Sequence, residues 1–225
     1  ITTRLVGSEM CIRDRYTGGC NLKCPYCHSR DLVYLKENMY PIVTEKINEY
    51  LESHRKDLDG IYISGGEPLM HEGVVSFLQY AKTLNYKIKI HTNGMFYERL
   101  KTILAQKLVD HVSLDIKNAP SAYAKTCGVE DMDLKDIEKS LDLLKQSAVP
   151  YDICVTLVDE LHNQATIEEL GQWIQGVDTV ILQPFEDSET TIDHSLHRPS
   201  FEVVLKYKKI FEKYVKHVKI RRNQA

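Results

Sequence analysis

The chain contains no run of about 18 consecutive apolar residues, the length that a membrane-spanning helix needs, so it predicts no membrane partner. It also lacks an excess of positive charge, because 29 lysines and arginines face 32 acidic residues and give a formal net charge of −3. Nucleic-acid-binding proteins usually carry a basic face, so this balance gives no reason to expect nucleic acid as a partner. With 43% hydrophobic and 27% charged residues, the composition is that of a globular domain with a sizeable core.

The cysteines do not follow the pattern of a secreted disulfide framework. Three of the six, Cys20, Cys24 and Cys27, lie close together, whereas Cys127 and Cys154 stand alone. A disulfide framework would distribute its cysteines through a short, loop-rich chain. A tight group in a chain of helices and strands indicates metal binding in a reducing compartment, so we predict a cytoplasmic protein.

Residues 1–15 differ from the rest of the chain. They mix charges without a period and neither alternate nor form an apolar run. Residues 5–15 also resemble the peptide that results when sequencing-adapter DNA is translated, so we interpret residues 1–15 as a non-native or disordered segment and give Cys11 no role. We expect this segment to supply no well-packed strand before the cysteines, and we assign residues 16–225 to one domain.

From Tyr16 onward, strand and helix patterns alternate along the chain. Short apolar or β-branched segments end in polar or glycine-rich turns, and the segments between them carry apolar residues at helical spacing. This alternation predicts an α/β fold of parallel strands joined by right-handed crossovers. The predicted strands lie at residues 61–63, 87–91, 112–116, 151–157, 179–182 and 217–220. Ligands gather at the carboxyl ends of such strands, where the motifs described below lie.

Two later segments give more detailed helix predictions. Thr166 and Glu169 match a capping box at the start of a helix that contains Leu170. The final helix is expected to bury a single apolar stripe made of Phe201, Val204, Leu205, Phe211 and Val215.

The three clustered cysteines have a spacing suited to an iron–sulfur cluster. Cys20, Cys24 and Cys27 are separated by three and two residues, so one loop can present three thiolates, which are soft ligands for iron. A structural zinc site would need a fourth ligand, but His28 has awkward geometry beside Cys27 and no later C-x-x-C pair exists. Three ligands on a four-iron cube leave one iron open for chemistry. Spacing and ligand count therefore favour an iron–sulfur cluster.

The C-x-x-x-C-x-aromatic-C pattern, with Tyr26 as its aromatic residue, resembles the signature of the radical S-adenosylmethionine (SAM) superfamily. The resemblance implies a 4Fe–4S cluster on Cys20, Cys24 and Cys27, the catalytic centre. The open iron would bind the amino and carboxylate groups of SAM, and one electron would cleave SAM to a 5′-deoxyadenosyl radical. The resemblance also implies that Tyr26 lies against the adenine, although a tyrosine that only packs the loop is compatible with the same sequence.

Two turns after predicted strands extend this resemblance. Gly65 and Gly66 allow close backbone approach to a ligand, although a Gly-Gly pair alone is usually a simple turn. Followed by Glu67, they resemble the superfamily's GGE motif, which implies that both glycines contact the amino group of SAM and that Glu67 mainly braces this binding loop. Thr92 and Asn93 lie in a turn that Asn-Gly geometry alone could explain, and the resemblance places them on the SAM-contacting rim.

Asp115 and Lys117 lie two residues apart on a predicted strand, so their side chains share a face. Next to SAM, Lys117 could pair with the carboxylate and Asp115 could accept from a ribose hydroxyl or an ammonium. The alternative is an exposed ion pair of little energetic value. The stretch from Leu114 to Lys117, with Tyr123 and Gly128 downstream, resembles glycyl-radical-enzyme activating proteins, which favours the SAM-binding role.

The activating proteins of anaerobic ribonucleoside-triphosphate reductase and of pyruvate formate-lyase carry the strongest resemblance, over roughly residues 16–222. They imply a partial, open (β/α)6 barrel and an anaerobic oxidoreductase that generates a glycyl radical on a partner enzyme. A flavodoxin- or ferredoxin-type protein is the implied reductant. His91 departs from the acidic residue common at its place in these proteins, so the sequence leaves its role open.

Two other functions stay open at this stage. A radical SAM enzyme that acts on a small molecule, such as a 7-carboxy-7-deazaguanine synthase, would share the cysteine loop and the Gly-Gly-Glu motif. Only the strand with Asp115 and Lys117 and the overall similarity argue against it. A non-enzymatic metal-binding or electron-transfer module would bind metal without releasing deoxyadenosine.

The remaining candidates receive smaller roles. We interpret Cys127 and Cys154 as small core residues. Three histidines are expected in loops, namely His162, His194 and His197. The tripeptide Gln183-Pro184-Phe185 ends a predicted strand and is expected to line the site. The polar stretch 183–200 is long enough to be a docking or lid segment.

Overall fold

The computed structural model describes residues 5–6, 12–35 and 42–221. The strands of these ranges form one sheet whose order follows the chain. They are β1 Leu5–Val6, β2 Ile12–Thr17, β3 Gly60–Gly65, β4 Lys87–Thr92, β5 His111–Asp115, β6 Tyr151–Leu157, β7 Thr179–Pro184 and β8 His217–Ile220. Strands β2–β8 run parallel, whereas β1 pairs antiparallel with β2. Within the described ranges β8 pairs only with β7, so the sheet is not closed into a barrel.

Helices connect the successive parallel strands. They are α1 Arg30–Val33, α2 Thr44–Ser53, α3 Val74–Thr83, α4 Tyr97–Ala105, α5 Tyr123–Thr126, α6 Lys135–Gln146, α7 Gln164–Trp173 and α8 Phe201–Phe211, with 3-10 turns at Pro68–Met70 and Pro120–Ala122. The predicted open α/β architecture is confirmed, with seven parallel strands in place of six. Each helix in the described part of the chain is too short or too polar to cross a membrane.

The central strands have one apolar and one polar face. Every second residue is a buried aliphatic side chain of the core: Ile61, Ile63, Ile88, Ile90, Val112, Leu114, Ile153, Val155, Val180 and Leu182. Because side chains alternate along a strand, the residues between them point to the opposite face. That face carries Tyr62, Lys89, His91, His111, Ser113, Asp115, Asp152 and Thr156. The core therefore lies between sheet and helices, and the other face of the sheet is polar.

The N-terminal segment supplies more backbone structure than expected. Residues 12–15 belong to β2, which pairs with β3 from Ile12 opposite Gly60 to Thr17 opposite Gly65. This backbone pairing was not expected, but main-chain groups make it and need no apolar sequence. The expectation that the segment supplies no well-packed apolar strand therefore stays a prediction. Residues 1–4 and 7–11, which include Cys11, lie outside the described residues. The non-native origin of residues 1–15 stays a prediction.

Helix α7 begins earlier than its predicted capping box. Its N-cap is Asn163, whose side chain accepts hydrogen bonds from the amides of Ala165 and Thr166. Thr166 occupies the third helical position, and its hydroxyl oxygen accepts from the amide of Asn163. The predicted box from Thr166 to Glu169 is therefore wrong by one turn, because Asn163 satisfies the free amides first.

Helix α8 buries a narrower stripe than predicted. Its buried residues are Val204, Tyr207, Ile210 and Phe211, and Val215 is buried beyond the end of the helix. Phe201 and Leu205 are instead exposed by 63% and 39%. One step along a helix turns a side chain by about 100°, so Leu205 faces away from a stripe centred on Val204, and Phe201 lies at the exposed first turn.

Candidate active site

All residues predicted to bind the cofactors line one cavity at the carboxyl ends of the strands. They are Cys20, Cys24, Tyr26, Cys27, Gly65, Gly66, Glu67, Thr92, Asn93, Asp115 and Lys117. Among the described residues, the lining is completed by Leu22, His28, Ser29, Val33, Ser64, His91, Thr156 and Gln183. Pro184 and Phe185, expected there with Gln183, are not part of the lining, and Phe185 is buried in the core. Motifs that are up to a hundred residues apart thus meet at the sheet edge where α/β folds bind ligands.

The cysteine loop follows β2 and points its three thiols into this cavity. The Cys20 sulfur accepts from the amide of Leu22 at 3.4 Å, and the Cys27 sulfur accepts from the amide of Ser29 at 3.4 Å. The amide of Cys27 also donates to the carbonyl of Cys24 at 2.9 Å, which turns the loop back on itself. Backbone amides that donate to sulfur favour thiolates over thiols.

The three thiols differ in their electrostatic environment. Burial raises the pKa of Cys20 to about 11 and also raises the pKa of Cys27. The neighbouring Cys127 thiol lowers the pKa of Cys24 to about 7 against the effect of burial, and the charge of Lys117 acts in the same direction. Cys127 is fully buried, as predicted for a core residue, and its carbonyl accepts from the amide of Lys23 at 3.1 Å.

The glycine loop after β3 lies directly against the cysteine loop. The amide of Gly66 donates to the carbonyl of Thr17 at 2.8 Å, and the amide of Glu67 donates to the carbonyl of Gly19 at 2.9 Å. A Cβ on Gly66 would overlap the carbonyl of Gly19, and Gly65 has a φ of +120°. The close approach of two backbones and a left-handed conformation therefore both require glycine here.

Glu67 ties this loop to the next one. Its buried carboxylate accepts from the amide of Leu69 at 2.9 Å, the hydroxyl of Thr92 at 2.7 Å and the amide of Asn93 at 2.7 Å. The Asn93 side chain in turn donates to the side-chain oxygen of Asn21 in the cysteine loop at 2.9 Å. This geometry makes Glu67 a brace that holds three loops in a fixed arrangement. Its contact with a cofactor stays a prediction.

Tyr62, His91, Asp115 and Lys117 form a continuous polar chain. The Tyr62 hydroxyl lies 2.6 Å from His91 Nδ1, and His91 Nε2 lies 2.6 Å from Asp115 Oδ1. Lys117 Nζ donates to Asp115 Oδ2 at 2.7 Å, so the two side chains share one face, as predicted, and form an ion pair that is largely shielded from water. Sequence reasoning gave His91 no role and missed Tyr62, which lies 29 residues earlier on the neighbouring strand.

Burial disfavours the charged forms of His91, Asp115 and Lys117, but the charges of the neighbouring groups outweigh this effect on their pKa values. The pKa of Asp115 lies well below its usual range because His91 and Lys117 face its carboxylate. The charge of Asp115 holds the pKa of Lys117 well above its usual range, and Asp115 together with Tyr62 does the same for the pKa of His91. The neighbouring groups therefore favour the charged forms of His91, Asp115 and Lys117 in the cavity wall.

His91, Asp115 and Cys154 place their potential ligand atoms within 4.8 Å of one another. Both ring nitrogens of His91 already have partners, and the Asp115 carboxylate faces the Lys117 ammonium. A dication at this point would displace His91 from Asp115 and meet the positive charge of Lys117. The group is therefore better described as part of the ion-pair chain than as a metal site.

The polar stretch after β7 packs onto the cysteine loop. The amide of Ile192 donates to the carbonyl of Cys27 at 3.1 Å, and the amide of Asp193 donates to the carbonyl of Pro25 at 2.9 Å. The Thr190 hydroxyl donates to the carbonyl of His28, whose ring stacks on Phe185 at 5.8 Å. We call residues 186–199 the strap. It braces the loop, so these contacts do not support the predicted docking or lid role.

The three loop histidines have different surroundings. His162 is buried between β6 and α7, and its ring nitrogens lie 3.0 Å from the carbonyl of Lys117 and 3.1 Å from the amide of Val158. His194 and His197 are exposed and lie near Asp187 and Glu160, at 2.9 and 2.6 Å. All three lie outside the cavity lining, as their small predicted role implies.

Comparison with known proteins identifies relatives over most of the chain. The model of the "Radical SAM superfamily" matches residues 15–174. A predicted glycyl-radical enzyme activating enzyme of Methanocaldococcus jannaschii is 31% identical over 209 residues, which cover 90% of this chain and 85% of the relative. The pyruvate formate-lyase-activating enzyme of Clostridium pasteurianum is 27% identical, over 89% of this chain and 88% of the relative.

Other relatives share a smaller part of their length. A GTP 3′,8-cyclase of Alkaliphilus oremlandii is 26% identical over 72% of this chain and 51% of the relative. The crystal structure of Streptococcus suis SuiB bound to S-adenosylmethionine superimposes with a TM-score of 0.73 at 14% identity. That match covers 94% of this chain and half of SuiB, and it supports the fold alone.

Proposed function

This chain belongs to the radical SAM superfamily, and we propose that it is a glycyl-radical-enzyme activating enzyme whose substrate is an anaerobic ribonucleoside-triphosphate reductase. A 4Fe–4S cluster held by the three cysteines and reduced by a flavodoxin- or ferredoxin-type donor would supply the one electron that cleaves SAM into methionine and a 5′-deoxyadenosyl radical. This radical would take a hydrogen atom from the partner's glycine. The observation that carries the proposal is one cavity lined both by the three cysteines and by the ion pair of Asp115 and Lys117.

The residues of the cysteine loop fit a 4Fe–4S cluster. Cys20, Cys24 and Cys27 provide three thiolates from one loop, and no other cysteine among the described residues lines the cavity. Backbone amides donate to two of the sulfurs, as they do around protein-bound clusters. Iron–sulfur clusters prefer thiolate ligands, and a three-cysteine set leaves one coordination position for SAM.

The rest of the cavity fits SAM. Lys117 offers an ammonium for the carboxylate of SAM, and Asp115, held by His91 and Lys117, offers carboxylate oxygens for a ribose hydroxyl or the ammonium. Gly65 and Gly66 bring main-chain groups to the cavity edge, and the ring of Tyr26 offers a surface for the adenine. Thr92 and Asn93 also line the cavity, held in place by Glu67.

Two observations favour a protein substrate over a small molecule. The chain matches 85% and 88% of the length of the two activating-enzyme relatives, but only half of the cyclase. The segment from Leu114 to Lys117 that resembles activating proteins also contributes its two charged side chains to the cavity. A reductase is proposed as the partner on the same resemblance.

The test is anaerobic reconstitution with iron and sulfide, followed by SAM, dithionite and the anaerobic ribonucleoside-triphosphate reductase of the same genome. We expect deoxyadenosine by chromatography and a glycyl doublet by electron paramagnetic resonance on the reductase. Cys24→Ser should lose both signals, whereas Ser53→Ala, a change at an exposed residue of α2 outside the cavity lining, should retain them. Deoxyadenosine without a glycyl radical would point to a small-molecule substrate, and bound iron without deoxyadenosine would point to a non-enzymatic module.

A further inference from the structure

The wall of the cavity formed by β6 and β7 has no role in the proposed cofactor site. Thr156 and Gln183 both line the cavity there, and they lie directly opposite each other in the register of the two strands. All groups assigned to the cluster and SAM come instead from the strands and loops between β2 and Lys117. The β6–β7 wall is therefore available to the molecule that reacts with SAM.

Arg221 determines which end of the Gln183 side chain faces the cavity. Arg221 Nη1 donates to Gln183 Oε1 at 2.8 Å. A guanidinium has only donors, so the amide oxygen must face it and the amide NH2 must point the other way. Arg221 directly follows β8, and its own amide donates to the carbonyl of Leu182 at 2.9 Å, which fixes its backbone beside β7.

The two side chains have unused hydrogen-bonding capacity. Across the described ranges, neither the Gln183 NH2 nor the Thr156 hydroxyl has a hydrogen-bond partner. The Gln183 NH2 can only donate, whereas the Thr156 hydroxyl can also accept. A donor and an acceptor on adjacent strands match the carbonyl and the N–H of a peptide unit. Because glycine has no side chain, its main-chain carbonyl and N–H are the only polar groups through which a protein can bind it.

We propose that Thr156 and Gln183 bind the main-chain amide groups of the peptide segment that presents the substrate glycine, and that Arg221 is a positioning residue that orients Gln183. The inference rests on the proposed function. The Gln183 NH2 donates to a carbonyl of the segment, and the Thr156 hydroxyl accepts from an N–H. This contact holds the glycine next to the site where SAM binds.

The test separates glycyl-radical formation on the reductase from SAM cleavage without the reductase. Gln183→Met and Thr156→Val keep side-chain size and remove the proposed bonds, so each should lower kcat/KM for the reductase about tenfold. Deoxyadenosine release without reductase and the KM for SAM should stay unchanged. Gln79→Met, an exposed glutamine outside the cavity, is the control and should behave as wild type.

Arg221 supplies a second readout. Arg221→Met should lower kcat/KM for the reductase, and Arg221→Lys should restore most of it, because an ammonium also only donates and keeps the amide oriented. Unchanged kinetics in Gln183→Met and Thr156→Val, with an active wild type, would overturn this inference alone. A raised KM for SAM in these variants would also overturn it, by assigning the wall to SAM. A wild type that cleaves SAM without forming a glycyl radical would refute the proposed function as well.

Discussion

His91 Nε2 lies 2.6 Å from Asp115 Oδ1, on neighbouring strands and inside the cavity that holds the three thiols. The His91 side chain is 16% exposed and that of Asp115 24%, so the pair is largely shielded from water. The Tyr62 hydroxyl is hydrogen-bonded to the other ring nitrogen of His91, and Lys117 Nζ donates to the other carboxylate oxygen of Asp115. His91 therefore keeps Asp115 charged and oriented.

Replacing His91 by glutamine should destabilise the protein by about 3 kcal/mol at pH 6, because a largely buried carboxylate loses a charged partner. The groups around His91 are Tyr62, Asp115 and Cys154, and together they raise its pKa well above the usual value of about 6.5. Because the pKa of His91 is higher in the folded than in the unfolded state, protonation stabilises the folded protein. This stabilisation is fully present at pH values below the pKa of the unfolded state and is lost as pH rises through the pKa of the folded state. The gap between wild type and His91→Gln should therefore narrow from pH 6 to pH 9.

Anaerobic urea unfolding of the cluster-free protein, followed by circular dichroism, measures this gap. His194→Gln is a matched control, because His194 also faces a carboxylate, that of Asp187, but is 51% exposed. The His194→Gln substitution should lower the free energy of unfolding by less than about 1 kcal/mol. A His91→Gln gap that stays constant or widens with pH would show that His91 is neutral in the folded protein.

Gly66→Ala should separate the glycine loop from the cysteine loop. The added Cβ would overlap the carbonyl of Gly19, and the main chain would have to move, at a cost of about 3 kcal/mol. Since Gly19 directly precedes Cys20, most of the bound iron should be lost after anaerobic reconstitution. Iron analysis and the absorbance of the cluster measure this loss.

Gly73→Ala is the control for this change, because a Cβ on Gly73 meets nothing within 4 Å and its φ is −70°. It should bind as much iron as wild type. Normal iron content in Gly66→Ala would show that the two loops adjust without disturbing the cysteines.

The sequence was sufficient to predict that the candidate cofactor-binding residues share one cavity, because the motifs lie at strand ends and parallel strands end at the same edge of the sheet. Asp115 and Lys117 were correctly placed on one face because side chains two residues apart on a strand point the same way, but their ion pair with each other was only the alternative to two SAM-binding roles. The role of His91 needed the fold, since its partner Tyr62 is on another strand and nothing in the local sequence links the two residues.

The contact between the strap and the cysteine loop could not be predicted either, because it joins residues that are far apart in the sequence. Thr190 and His28 are 162 residues apart, and the strap has no periodic pattern that indicates what it packs against. The N-terminal strand was missed because hydrogen bonds of the main chain, which leave no trace in hydropathy, hold residues 12–15 beside β3. The exposure of Leu205 depends on which side of α8 meets the sheet, and apolar spacing alone does not determine this.

Thr190→Val should weaken the hold of the strap on the cysteine loop. The substitution keeps the shape of the side chain and removes the hydroxyl that donates to the carbonyl of His28. Loss of one such bond costs about 1 kcal/mol, so the cluster should lose iron to a chelator about fivefold faster. Thr83→Val is the control, because the exposed Thr83 hydroxyl donates to the carbonyl of Tyr80 at 2.7 Å, far from the cavity lining. Equal rates of iron loss in both variants would argue against a bracing role for the strap.

Asp152→Asn should destabilise the protein by weakening hydrogen bonds and ion pairs on the polar face of the sheet. The Asp152 side chain is 7% exposed and lies 2.6 Å from His111 Nε2, and it accepts from the Ser113 hydroxyl at 2.6 Å and from Lys89 Nζ at 3.3 Å. Although burial opposes its charge, these partners hold the pKa of Asp152 well below its usual range. The variant should lower the free energy of unfolding by about 2 kcal/mol at pH 7, because four donors, Cys154 Sγ at 3.4 Å among them, lose their carboxylate.

The pH dependence of this cost follows from the direction of the shift. A lowered folded pKa gives stabilisation that is present above the unfolded pKa of about 3.9 and is lost as pH falls through the folded value. The difference between wild type and Asp152→Asn should therefore be constant from pH 5 to pH 7 and shrink below about pH 4. Urea unfolding across this range measures it, with Asp142→Asn on the exposed face of α6 as the control, which should change stability little. If the difference grew on acidification, Asp152 would have to be protonated in the folded protein, and the ion pairs drawn here between β4, β5 and β6 would be wrong.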